Sequence, residues 1–239
     1  MRVLILGGTR EARELAAALV ARGDAPVTSL AGAVPDPQRP PGETVVGALA
    51  SPEDLARLVD RAGAQAVVDA THPFAERISA LAAHSPVPVV RLHRPPWSER
   101  PGDDWRRVPS LEAAAAAIPA GARVLLTTGR RGLDAFASVE HAWFLIRAIT
   151  PPGPPLPPRH ELRLDRGPYT LASEHALIDR HQIDLIVTKD SGGEATEAKL
   201  QAARERQLPV IVVDRPPPPA GLPTATTVAG TIRLLTADS

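Results

Sequence analysis

The stretch Leu6-Gly7-Gly8-Thr9-Arg10-Glu11-Ala12 joins a short apolar run to an amphipathic one. Against the dinucleotide fingerprint, Gly7 supplies the tight turn and Ala12 the close helix–strand approach. Thr9 stands where a second glycine would admit a pyrophosphate, with Gly8 one residue earlier. Backbone N–H groups and the helix N-terminus would hold a phosphate here, with the Thr9 hydroxyl and Arg10 as further donors. A glycine turn before a helix also occurs with no ligand at all. In an NAD site an acid is expected roughly 20 residues on, to grip the ribose 2′-hydroxyl. This chain has Thr28-Ser29-Leu30-Ala31-Gly32 instead. Small hydroxyl side chains such as Ser29 leave room for a 2′-phosphate, which favours NADP over NAD.

Three further stretches carry chemistry. Asp69-Ala70-Thr71-His72-Pro73-Phe74 falls at the end of an apolar run, where ligands of open parallel sheets bind. His72 would face that crevice as a candidate proton donor, with Pro73 opening the next helix. The blander alternative makes Thr71 a helix cap and His72 an ordinary exposed imidazole. Thr127-Thr128-Gly129-Arg130-Arg131-Gly132 sets two adjacent guanidinium groups at a turn, a fork suited to carboxylates. A solvated surface pair is the alternative there. Lys189-Asp190-Ser191-Gly192-Gly193 lies ten residues before Lys199, and these are the chain's two lysines among 27 basic residues. A chain that otherwise writes arginine has a reason to place compact ammonium groups together, and Ser191-Gly192-Gly193 can form a nest of N–H groups for an anion.

The elements that must position these stretches alternate. Strands are expected at residues 2–6, 27–30, 44–46, 67–70, 87–92, 123–127, 142–149, 185–188 and 210–214. Helices are expected at 10–22, 73–83, 173–181, 196–207 and 228–235, with a short one after Gly132. Another helix opens with Ser51 as cap, Pro52 first, acids at 53 and 54, and closes at Gly63. The fold class is α/β: two Rossmann-like domains with mainly parallel sheets and a ligand cleft between them. A shift of 121 residues lays Arg2-Val3-Leu4 on Arg123-Val124-Leu125 and Arg94-Pro95-Pro96 on Arg215-Pro216-Pro217, as duplication of one unit would. The expected domains are 1–105, binding the nucleotide, and 106–239, binding the substrate. The long connections at 97–109 and 151–158 would allow elements to be exchanged between them.

Composition excludes several classes. Lys plus Arg and Asp plus Glu are both 27, so the chain lacks the positive excess a nucleic acid demands. With no cysteine, disulfides, thiolate catalysis and iron–sulfur clusters are excluded. The seven histidines have no metal-ligand spacing, so no metal is expected. No run of 18 apolar residues occurs, and the chain opens directly on Arg2-Val3-Leu4, so a soluble cytoplasmic protein without membrane contact is expected. A monomer is compatible with this reading.

Taken together, Leu6-Gly7-Gly8-Thr9-x-Glu11-Ala12, Asp69-Ala70-Thr71-His72-Pro73-Phe74-Ala75 and Arg91-x-x-Arg94-Pro95-x-Trp97 resemble the precorrin-6A reductases of cobalamin biosynthesis. So do Thr128-Gly129-Arg130, Gly167-Pro168-Tyr169, Thr188-Lys189-Asp190-Ser191-Gly192-Gly193 with Lys199-Leu200, and Arg215-Pro216. Many members of that family carry Asn where Asp190 stands. The resemblance implies NADPH-dependent reduction of one carbon–carbon double bond in a polycarboxylate tetrapyrrole, precorrin-6A. Such a hydride transfer needs little acid–base equipment, because the macrocycle accepts the electron pair. Gly7, Gly8, Thr9, Arg10, Glu11, Ser29, Thr71 and His72 are then the expected cofactor contacts. Phe74, Thr128, Gly129, Arg130, Arg131, Lys189, Asp190, Ser191, Gly192, Gly193 and Lys199 are the expected substrate contacts. A non-catalytic, NAD(P)-sensing, two-lobed binding protein is the alternative.

Overall fold

The computed structural model describes residues 1–32 and 39–237. Strand β1 (Arg2–Leu6) has Val3, Leu4 and Ile5 fully buried, as a strand covered on both faces requires. It pairs in parallel with β2 (Ala25–Leu30) on one side and β4 (Ala66–Asp69) on the other. Beyond these lie β3 (Glu43–Val46) and β5 (Val89–Leu92). Helix α1 (Arg10–Ala21) covers one face through Ala12, Leu15, Ala16 and Leu19. Helix α2 (Pro52–Ala62) covers the other through Leu55, Leu58 and Val59, and the short α3 (Glu76–Ala82) adds Ala82 on the same side. The Ser51 cap forms as expected, with Asp54 closing a capping box and Gly63 ending the helix at φ +57°.

The next strand, β6 (Trp105–Val108), and helix α4 (Leu111–Ala116) leave this sheet. They belong with β7 (Arg123–Thr127), β8 (Trp143–Ala148), β9 (His160–Leu164), α5 (Leu171–His181), β10 (Leu185–Lys189), α6 (Ala198–Glu205) and β11 (Val210–Val213). The chain then returns: β12 (Thr224–Ala225) pairs with β5, and α7 (Val228–Ala237) packs Leu235 into the α1 face. The strand orders are β12-β5-β4-β1-β2-β3 and β6-β11-β10-β7-β8-β9, and the pairings are parallel.

Two compact units result, Met1–Pro95 with Pro216–Ser239, and Pro96–Arg215. The sequence boundary after residue 105 therefore stands ten residues late. The C-terminal segment, assigned from sequence to the second domain, packs on the first. The cause is the sixth strand of each sheet: β6 follows β5 in the chain but adds to β11, while β12 follows β11 but adds to β5. The two sheets match position for position, with these two strand–helix pairs exchanged. Within the repeat Val3 faces Ala66 and its counterpart Val124 faces Leu185, so β10 stands 119 residues after β4 while β7 stands 121 after β1. Among the described residues no helix is long and apolar enough to cross a membrane.

Candidate functional site

In the first unit the glycine turn continues the sheet before leaving it. The Gly7 N–H donates to Ser29 O at 3.0 Å. A Cβ on Gly7 would stand 2.7 Å from the Thr28 methyl carbon, so the close approach of β1 and β2 is what requires glycine. Gly8 follows at φ +112°, with nothing within 4 Å of where its Cβ would be. The turn is thus open outward, and the first-turn N–H groups of α1 lack intrahelical partners. Thr9 differs from expectation. Its hydroxyl donates to Ala70 O at 2.8 Å and accepts the Ala12 N–H at 3.1 Å, which engages its single proton inward. The donors this turn offers a phosphate are therefore backbone N–H groups rather than the Thr9 hydroxyl. Arg10 is exposed and paired with Glu14 at 2.6 Å, and Glu11 is paired with Arg94 at 2.9 Å.

The end of β4 is built around Asp69, which is 2% exposed. One carboxylate oxygen accepts both the Thr71 N–H (3.1 Å) and the Thr71 hydroxyl (2.7 Å), and the other accepts Arg91 Nε at 3.3 Å. His72 is exposed, and its Nδ1 accepts the Phe74 N–H at 3.2 Å, so a neutral ring carries its proton on Nε2. Its ring centre lies 5.9 Å from that of Phe74. Pro73 does not open the helix. The Ala75 N–H bonds back to His72 O at 2.8 Å, closing a turn, and α3 begins at Glu76. Ser29, at the carboxyl end of β2, is 7% exposed and its hydroxyl has no partner among the described residues. It lines a cavity of about 230 Å³ with residues 45–49, Asp54, Arg57, Leu58 and Arg61.

The second unit opens differently at the equivalent place. Thr128 is buried and its hydroxyl has no partner among the described residues. Gly129 takes φ +82° with open space beyond it. Arg130 and Arg131 are exposed, and neither guanidinium has a carboxylate partner among the described residues. Lys189, at the end of β10, donates to Arg131 O at 3.3 Å, which brings the 129–132 and 189–193 turns together. Burial, then the Arg131 charge, lower its pKa. Gly192 and Gly193 take φ +63° and +84°. Three cations and an N–H nest on adjacent strand ends can receive carboxylates.

Two expected substrate contacts face inward instead. Asp190 is 1% exposed; its carboxylate accepts the Trp97 N–H at 3.1 Å and Arg107 at 2.7 Å, while its carbonyl accepts Arg215 Nε at 2.7 Å. Lys199 is 2% exposed, so its ammonium has no face left for a ligand from solvent. Ser191 donates weakly to the neighbouring Gly192 O at 3.5 Å. The supports Arg91, Arg94, Trp97 and Arg215 stood in the family motifs without a site role, and Arg107 was not singled out at all. Arg91 alone carried a local signal, a charge inside the otherwise buried strand Val89-Val90-Arg91-Leu92. A buried guanidinium demands a buried acid.

The family model described as "Precorrin-6x reductase CbiJ/CobK" matches residues 2–236. A precorrin-6A reductase of Rhodococcus erythropolis is 48% identical over 237 residues, covering 97% of this chain and 96% of that one. One from Mycobacterium tuberculosis is 46% identical over 227 residues, covering 92% and 91%. A cobalt-precorrin-6A reductase of Priestia megaterium is 30% identical, covering 90% of both. A solved structure titled "CobK precorrin-6A reductase" superposes with a TM-score of 0.92 at 39% identity, covering 100% of this chain and 96% of that one. Family model, relatives and fold agree along the whole length: the chain belongs to the precorrin-6x reductase family, CbiJ/CobK, of cobalamin biosynthesis.

Proposed function

We propose that this protein catalyses the NADPH-dependent reduction of one carbon–carbon double bond of precorrin-6A. The observation that carries the reading is family membership over residues 2–236. The relatives at 41–48% identity are named for precorrin-6A, and those named for the cobalt form stand at 28–30%. That gradient favours the metal-free macrocycle.

The first unit binds NADPH. The N–H groups from Gly8 to Arg10 would hold its pyrophosphate, and Thr71 and His72 would be the residues beside its nicotinamide. The open Gly8 and the absence of an acid at the end of β2 support this placement, and the unpartnered Ser29 hydroxyl favours the 2′-phosphate form. When bound, NADPH supplies the hydride. Asp69 fixes the backbone of Thr71, and His72 is the candidate source of the matching proton. The second unit holds the macrocycle through Arg130, Arg131, Lys189 and the N–H groups of Gly192 and Gly193. Each acetate or propionate of the substrate gains a charge-assisted partner that orients the ring.

The test is anaerobic NADPH oxidation with precorrin-6A, followed by the loss of nicotinamide absorbance. The expected result is stoichiometric consumption of NADPH, with NADH slower at equal concentration. NADPH binding without oxidation would support the sensing module instead. In calorimetry Lys189→Ala weakens macrocycle binding and leaves NADPH binding intact. Equal loss of both would refute this division of labour.

A further inference from the structure

Lys199 is one of two lysines in the chain, yet it is sealed from solvent. Its Nζ donates to Thr196 O at 2.6 Å and lies 4.3 Å from the centre of the Trp97 ring. The same indole donates Nε1–H to Gly193 O at 3.2 Å, and the Trp97 backbone N–H goes to Asp190. The Trp97 backbone N–H, its indole and the Lys199 amine therefore hold the segment 190–196 at Asp190, Gly193 and Thr196 respectively. Between those points Gly192 and Gly193 have the widest backbone freedom of any residue type, so their N–H directions depend on restraint from outside.

We propose that Lys199 is a positioning residue: through Thr196 and Trp97 it latches the Ser191–Gly193 turn in the form that receives a substrate carboxylate. This rests on the substrate reading given above.

The groups around the amine set its protonation. From β8 comes Arg147, paired at 2.7 Å with Glu174 of α5 and stacked 3.9 Å from the Tyr169 ring centre. Glu174 Oε2 is buried with no partner among the described residues, and Glu197 precedes α6. Burial first, then Arg147, lower Lys199 to about 7, against the pull of Glu174 and Glu197. A released Lys199 in water regains the ordinary lysine value. The latched form thus binds fewer protons than the released form, so acid favours release and the latch tightens as pH rises through about 7.

The first measurement needs no variant and no substrate: amide exchange of residues 190–196 in the full chain at pH 6 and pH 8, corrected for intrinsic rates. Protection is expected to rise roughly tenfold toward pH 8. In steady state with precorrin-6A, the wild-type KM falls over the same range. Lys199→Met raises KM at pH 8 about tenfold through loss of the hydrogen bond to Thr196 O, leaves kcat within about twofold, and removes the pH dependence. Lys199→Gln, a shorter neutral donor, recovers part of the loss. An unchanged far-UV circular dichroism spectrum and a wild-type-like thermal melt certify that the second unit, which carries the substitution, is folded. The proposal is overturned by a folded Lys199→Met with wild-type KM and pH profile. If that variant does not fold, wild-type exchange that is flat between the two pH values overturns it equally. A pH-dependent latch in a chain that never turns over precorrin-6A upholds the latch and refutes the substrate reading instead.

Discussion

Each sheet buries one aspartate at the carboxyl end of the strand beside its glycine turn, and the two are tied to different parts of the chain. Asp69 works locally, holding Thr71 two residues on and Arg91 on the adjacent strand. Asp190 reaches 93 residues back to the Trp97 N–H, pairs with Arg107, and receives Arg215 on its carbonyl. Trp97 and Arg215 stand at the two places where the chain passes between units. The glycine turns diverge in the same way. At the 121-residue offset Thr9 corresponds to Arg130: one hydroxyl bonds inward to Ala70, while the other side chain points to solvent. Duplicating a sheet fixes where chemistry can stand at its strand ends. Which chemistry stands there is decided by one or two residues per turn.

The largest effect tests the aspartates. Asp69→Ala leaves Arg91, 5% exposed and with Nη1 already unpartnered, without its counter-charge. A loss of about 3–5 kcal/mol is expected. Asp190→Ala is milder, about 1–3 kcal/mol, mainly for the unpartnered Trp97 N–H. Its partner Arg107 is 42% exposed at the side chain and keeps Asp214 at 2.7 Å. Thermal and denaturant melts of the two variants give the order. An Asp190→Ala loss equal to that of Asp69→Ala would erase the contrast between a buried local pair and a half-exposed anchor.

Next come the two turns. Replacing Arg130 and Arg131 together by Ala is expected to lower kcat/KM for precorrin-6A by at least roughly a hundredfold, at about 1.5 kcal/mol or more per charged hydrogen bond, with the NADPH Kd unchanged. Gly8→Val is expected to do the reverse, weakening NADPH roughly tenfold because φ +112° strains a β-branched residue. Calorimetry with each ligand reads both. Loss of both ligands by either variant would show that the turns do not divide the work. Smaller again is Ser29→Asp, which restores the acid of an NAD site at the end of β2. NADPH should weaken by roughly threefold to fivefold through like-charge repulsion, with NADH little changed.

Much of the fold was legible because its signals are local. Fully apolar runs, Ser51-Pro52 with its acids, and glycines after helices each decide their own element. The sixth strands were not legible. Trp105-Arg106-Arg107-Val108 is an edge strand with two exposed arginines, and β12 is two residues long, so neither carries a buried pattern. The site followed the same rule. Glycine turns and paired arginines announce themselves by type, whereas the inward course of Asp190 and Lys199 depends on Trp97, nearly a hundred residues away. Scarcity of lysine singled out Lys199, but a count of residue types carries no information on its burial.

The smallest effect bears most directly on how the two turns differ. The Thr9 hydroxyl has one proton, and Ala70 O takes it at 2.8 Å, while its oxygen caps α1 through the Ala12 N–H. Thr9→Ala therefore removes a cap and a tie between β1 and β4, costing about 1 kcal/mol of stability. It removes no donor from the outward face of the turn, so the NADPH Kd should stay within about threefold, and Thr9→Ser should restore the stability. Arg130, its counterpart, gives the opposite pattern: Arg130→Ala leaves the melting temperature unchanged and weakens the macrocycle. Should Thr9→Ala instead weaken NADPH more than roughly tenfold while melting normally, its hydroxyl turns outward when the nucleotide arrives. Both turns would then bind through side chains, and the distinction between a backbone cradle in one sheet and a guanidinium clamp in the other would be lost.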